Sequence, residues 1–130
     1  MQVIGLFREL EPLATFLPLL SEVESNVPPG ERAIVSAYLR RGIPFFDVMG
    51  ATIDPRNPSI ALSGGPSLVS DGEFIWRLDL AHFVEAYGVE LPVKFLQKAV
   101  SRASFPPESE ILKKWPELLS IYEAHVAPRA

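Results

Sequence analysis

The chain has no cysteine, only two histidines, no surplus of basic residues, and no uninterrupted hydrophobic run long enough to span a membrane. Without thiols there are no disulfide frameworks, thiolate nucleophiles or Cys-ligated metal centres, and residence in a reducing cytoplasm is the expectation. Twelve Lys and Arg against sixteen Asp and Glu give a net charge of −4, the wrong sign for neutralising phosphates, so no nucleic-acid partner is expected. The apolar opening, MQVIGLFRELEPLATFLPLL, is interrupted by Arg8, Glu9 and Glu11 before a signal or membrane segment could form, so no membrane association is expected.

What is present is enough for a core. Across 130 residues, 48% are hydrophobic and 10% aromatic, which suits one domain spanning residues 1–130. Thirteen prolines divide the chain into short pieces, since each removes a backbone donor and biases its predecessor away from helix. Leu6, Leu10, Leu13, Leu17 and Leu20 recur at helical spacing, and Pro12 and Pro18 predict a bent helix or two short ones. That stripe suits either core or a dimer interface. After the turn signal NVPPGE, a helix is expected over Glu31–Arg41 with Ile34, Val35 and Tyr38 inward, and Gly42 at a left-handed position after its end. Residues 42–66, rich in Gly and Pro, read as irregular chain holding at most one short strand or helical turn.

The densest signal is SLVSDGEFIWRLDLAHFVEAYGVELP, residues 67–92. Asp71-Gly72 between two apolar runs predicts a hairpin over about 67–77 with a two-residue turn, pairing Ser70 with Glu73, Val69 with Phe74 and Leu68 with Ile75. Val69, Phe74 and Trp76 then share one face and Leu68 and Ile75 the other, so both faces should be packed. Leu78 and Asp79 read as a staple and N-cap for a helix burying Leu80, Phe83, Val84 and Tyr87 and ended by Gly88. Pro92 opens another helix with Val93, Leu96, Ala99 and Val100 inward. The segment from Pro107 to Val126 buries Ile111, Leu112, Trp115, Leu118, Leu119 and Tyr122, with Pro116 kinking it or starting a fresh helix. The fold class expected is α+β, mainly helical, with one β-hairpin.

No motif carries a catalytic signature. Asp79, His82 and Glu85 share a helix face, half of a metal or acid/base site, but no second His-carboxylate cluster supplies the remaining ligands, so neither metal nor cofactor is expected. Asp71 serves the turn, Glu73 a solvated strand position and Asp79 a cap. Ser63, Ser67 and Ser70 lie near Gly64-Gly65 without a nucleophile-elbow or Walker pattern. Trp115 reads as core, and Trp76 as core before interface anchor.

Within Ser70–Leu96 the chain resembles a recurrent segment of small bacterial proteins, written D-G-x-x-x-W-x-x-D-L-A-x-[YF]-V-x-x-Y-x-x-x-L-P-x-x-F. The matching positions are Asp71, Gly72, Trp76, Asp79, Leu80, Ala81, Phe83, Val84, Tyr87, Leu91, Pro92 and Phe95. The resemblance implies an immunity or accessory protein of a bacterial toxin or secretion system and brings no catalytic residue with it. The reading is a non-enzymatic, cytoplasmic module that binds another protein, such as a basic toxin steered by its acidic surface. Its contacts are expected at exposed residues of the hairpin and irregular loop: Arg56, Asp71, Glu73, Arg77, Asp79, His82 and Glu85. The alternative is a small-molecule or hydrolytic site using Asp54, Asp79 and His82.

Overall fold

A computed structural model describes residues 1–25 and 27–129; Asn26, at the start of the expected NVPPGE turn, lies outside the described residues. Among those residues, six helices and six strands form an α+β domain. Four strands make one sheet in the order β1 (Gln2–Val3), β6 (Phe74–Arg77), β5 (Leu68–Ser70), β2 (Ile43–Phe46), with β1 parallel to β6 and the other pairs antiparallel. β3 (Ala51–Asp54) and β4 (Asn57–Ser63) form a separate two-stranded ribbon. The expectation of a mainly helical chain with one hairpin is therefore corrected. The region read as irregular contributes three strands, whose pairing partners local sequence does not reveal.

The four-stranded sheet is packed on both sides. Val69, Phe74 and Trp76 face a cluster with residues of α2 (Pro29–Arg40), α3 (Leu80–Tyr87) and α4 (Val93–Val100). Leu68 and Ile75 face a second cluster with Val3, Phe45 and residues of α5 (Glu108–Leu112) and α6 (Trp115–Val126). A helix–sheet–helix sandwich results, which is why neither hairpin face could be polar. The observed register pairs Leu68 with Arg77, Val69 with Trp76 and Ser70 with Ile75, two residues away from the expected one. The loop centres on Gly72 and Glu73, with Gly72 at φ 96° and no positive φ at Asp71. Asp71 instead folds its carboxylate back onto the loop, Oδ1 accepting from Glu73 N at 3.0 Å and Phe74 N at 2.8 Å. A slip of two residues preserves side-chain parity, so the expected faces survive the wrong register.

Other expectations shift for identifiable reasons. Most of the leucine-rich opening is a chain of turns; α1 covers only Leu20–Val23, because Pro12 and Pro18 interrupt the helix and Val3 joins the sheet. Leu6, Leu17 and Leu20 are core within the chain, while Leu13 is exposed. On α4 the buried positions are Phe95 and Ala99, while Val93 and Val100 are exposed, so the inward stripe is rotated from the expected one. Ile34, Leu112 and Trp115 are also exposed, whereas Trp76 is 1% exposed and donates from Nε1 to Leu39 O at 3.3 Å. Pro116 begins a fresh helix, and Gly88 ends α3 at φ 67° as expected. Gly42 is not left-handed: a Cβ there would lie 2.6 Å from Trp76 Cζ2, so close approach of the indole explains the glycine.

Candidate functional site

The β3–β4 ribbon meets the body of the domain through side chains that alternate along β3. Thr52 and Asp54, two residues apart, project from the same face of the strand and engage opposite ends of α3. Gly65 makes room for Thr52, since a Cβ there would stand 2.4 Å from Thr52 Oγ1.

Asp54 is fully buried and satisfied. Its Oδ2 lies 2.8 Å from His82 Nε2, Tyr87 donates its hydroxyl to both oxygens at 2.9 and 2.8 Å, and Arg56 N donates to Oδ1 at 2.8 Å. Burial pushes this carboxyl toward the neutral form, but the donors from His82, Arg56 and Tyr87 outweigh it and hold Asp54 below its ordinary range. The Arg56 guanidinium lies 5.1 Å from the centroid of the Tyr87 ring and pairs with Glu24, tying the ribbon tip to α1.

The second cluster is centred on Arg77. This buried guanidinium grips Asp79 in bidentate fashion, Nε to Oδ1 at 3.2 Å and Nη2 to Oδ2 at 2.8 Å, and also donates to Thr52 Oγ1 at 3.1 Å and Leu10 O at 3.0 Å. Thr52 in turn donates to Asp79 Oδ2 at 2.7 Å, and Tyr122 donates to Glu11 Oε1 at 2.6 Å beside Arg77 Nη1. Burial raises the Asp79 carboxyl above its ordinary range despite Arg77 and the Thr52 hydroxyl. Asp79 precedes α3 at the N-cap position without capping it, because its carboxylate is taken by Arg77 and Thr52.

A third carboxylate follows the same plan. Asp71 Oδ2 accepts from Tyr38 at 2.8 Å and from Lys98 Nζ at 3.1 Å under the hairpin loop. Thus each of the three tyrosines donates its hydroxyl to a carboxylate brought from elsewhere in the chain.

The expected contact residues divide accordingly. Asp71, Arg77 and Asp79 are 2%, 5% and 3% exposed, so their expected exposure is corrected: each belongs to an internal polar network. Glu73 and Glu85 are exposed, paired with Lys98 and Arg40 respectively; Arg56 is exposed at the ribbon tip, and His82 is partly exposed. Of the alternative trio, Asp54 and His82 meet, while the Asp79 carboxylate is engaged by Arg77 and Thr52. A recess of about 260 Å³ touches Asp79 and His82 together with Arg40, Ser63 and Gly65, but Asp54 does not line it. Ser67 and Ser70 have structural duties, Ser67 Oγ accepting from Val48 N at 2.9 Å and Ser70 Oγ donating to Phe74 O at 2.7 Å.

Sequence reasoning missed Thr52, Tyr87 and Tyr122 as members of these networks. The available signal was the tyrosines themselves: a phenol placed on a buried stripe needs a partner for its hydroxyl. Among the described residues no group of His, Asp and Glu is arranged to hold a metal ion, and no helix is long and apolar enough to cross a membrane. Comparison with known proteins finds no matching family model, no matching curated protein and no matching solved structure.

Proposed function

We propose that this chain is a non-enzymatic protein-interaction module that neutralises a basic bacterial toxin as an immunity protein. The observation carrying this reading is the β3–β4 ribbon: it is pinned to α3 and α1 by Asp54, Thr52 and Arg56, yet turns Ile53 outward at 53% exposure and lies beside Met49 at 99%. A preorganised arm with apolar residues on its outer side meets a partner at little entropic cost. The acidic balance supplies electrostatic steering toward a basic partner, and the resemblance of Ser70–Leu96 to segments of toxin-associated proteins supports the same reading. The contact residues in this reading are Arg56, Glu73 and Glu85, with His82 at the margin of the ribbon.

The test supplies the products of the neighbouring genes and asks whether this chain binds a basic, growth-inhibiting one among them and protects against it. Co-expression should restore growth, and Glu73→Lys with Glu85→Lys should weaken the complex and flatten its salt dependence, because the attraction that salt screens is removed. Undiminished protection by the folded double variant removes Glu73 and Glu85 from the interface, and failure of the unmodified protein to bind or protect ends the immunity reading.

A second reading, a small-molecule or hydrolytic site at Asp54, Asp79 and His82, draws support from the carboxylate-oriented imidazole beside the 260 Å³ recess. His82→Gln abolishing binding of a ligand found by screening would favour it; an unchanged ligand response would remove it.

A further inference from the structure

Ile34, expected to face inward from α2, is instead exposed beside α4. There Ala33, Ile34 and Ala37 of α2 and Ala99 of α4 line a groove of about 330 Å³, floored in part by Tyr38 and bordered by Arg41 and Arg102. Three alanines where larger residues would fill the space create the hollow. Ile34 adds an exposed apolar wall.

The border is cationic although the protein as a whole is acidic. Among the described residues neither Arg41 nor Arg102 forms an ion pair with a carboxylate, in contrast to Arg40, Arg56 and Arg77. Arg41 is held with its guanidinium 4.8 Å from the centroid of the Phe105 ring. Arg102 follows α4 at φ 55°, the one non-glycine residue of positive φ among those described. A glycine would adopt that conformation more readily.

From this pairing of an apolar trough with two uncompensated guanidinium groups, we propose that the α2–α4 groove binds a small carboxylate amphiphile of the medium-chain fatty-acid type. The acyl chain lies between Ala33, Ile34, Ala37 and Ala99, and the carboxylate meets Arg41 and Arg102. Burying the chain supplies the apolar contribution, and two charge-assisted donors supply the selectivity for an anion. A pocket of this size is at the small end of ordinary ligand sites, enough for a short acyl chain. The site is independent of the ribbon and of the toxin-binding reading.

Octanoate is the probe, titrated into the ¹⁵N-labelled protein with acetate and octanol in parallel. Saturable amide shifts centred on Ala33, Ile34, Ala37, Arg41 and Arg102 are expected with octanoate. Octanol should bind about tenfold or more weakly for want of the charge, and acetate should give no saturable response for want of the chain. Arg41→Gln and Arg102→Gly should each weaken octanoate binding; the glycine suits the positive φ, so this loss would not reflect misfolding. Ala37→Phe, at an exposed position, should block the groove. Absence of saturable shifts with octanoate, shifts centred elsewhere, or equal binding of octanol would each overturn the proposal. The titration of the unmodified protein decides the matter even if a variant fails to fold.

Discussion

His82 and Asp54 stand 28 positions apart in the chain and meet at 2.8 Å, joining the first turn of α3 to the end of a strand outside the main sheet. Asp54 is fully buried and His82 only partly so, which makes Asp54 the fastening and His82 one of several groups that hold it. Removing Asp54 strands Tyr87 O–H, Arg56 N–H and the imidazole together. Asp54→Ala should therefore cost about 3 kcal/mol in urea unfolding, while His82→Ala, relieved by solvent, should cost about 1 kcal/mol. Hydrogen exchange should accelerate first at Thr52 and Ile53; a uniform change across the domain would show that the ribbon is not a separately fastened unit.

The same carboxylate sets an acid limb. Its folded pKa is below its unfolded one, so its stabilisation is complete above the unfolded value near pH 4 and disappears as pH falls through the folded value. The stability gap between the unmodified protein and Asp54→Asn should be widest near neutrality and narrow below about pH 4. Asp79 acts oppositely, because burial raises its pKa and protonating it relieves a cost. A gap that widens in acid would contradict the placement of Asp54.

Alkali should expose the shared plan of the tyrosines. Burial and a carboxylate partner raise the pKa of Tyr38, Tyr87 and Tyr122 alike. Their folded values lie above the unfolded one, so stability is full below about pH 10 and is lost as pH rises through the folded values. Ultraviolet titration should show little tyrosinate in the native protein near pH 10, with ionisation accompanying unfolding at higher pH. A normal tyrosinate step in a folded protein would refute at least one of the three pairings.

Gly42→Ala tests packing rather than conformation. The added methyl would meet Trp76 Cζ2 at 2.6 Å and Val69 Cγ2 at 3.1 Å, so the buried indole must shift. A loss of about 1–3 kcal/mol is expected, with a change in tryptophan fluorescence. An unchanged melting temperature would show that the core yields there.

Tyr38→Phe removes one donor from Asp71 while Lys98 and the loop amides remain, and should cost about 1–2 kcal/mol. Asp71→Ala removes the acceptor shared by all of them and should cost more. Equal effects of the two substitutions would mean that Asp71 depends chiefly on Tyr38.

Much of the hairpin and α3 was legible because their signals are local. Period-two alternation assigned Val69, Phe74 and Trp76 to one face and Leu68 and Ile75 to the other, even though Asp71-Gly72 suggested a turn placed one residue too early. The site was legible only in outline: Asp54, Asp79 and His82 could be picked out, but nothing local tied Thr52 and Tyr87 to them. Asp71, Arg77 and Asp79 read as exposed because charged residues normally are, and their burial is tolerated through partners distant in sequence.

By itself the sequence determined the absence of thiol chemistry, the acidic balance, the helix end at Gly88, the breaks at the prolines and the two-faced hairpin, all consequences of residue identity or short-range spacing. Tertiary structure alone decided that residues 42–66 hold three strands, that α4 turns Phe95 inward and Val93 outward, and that three tyrosines seek out three carboxylates. The physical reason is that strand pairing and the burial of charge depend on which partner arrives from far along the chain: Tyr122 reaches Glu11 across 111 positions, a relation that no local pattern encodes.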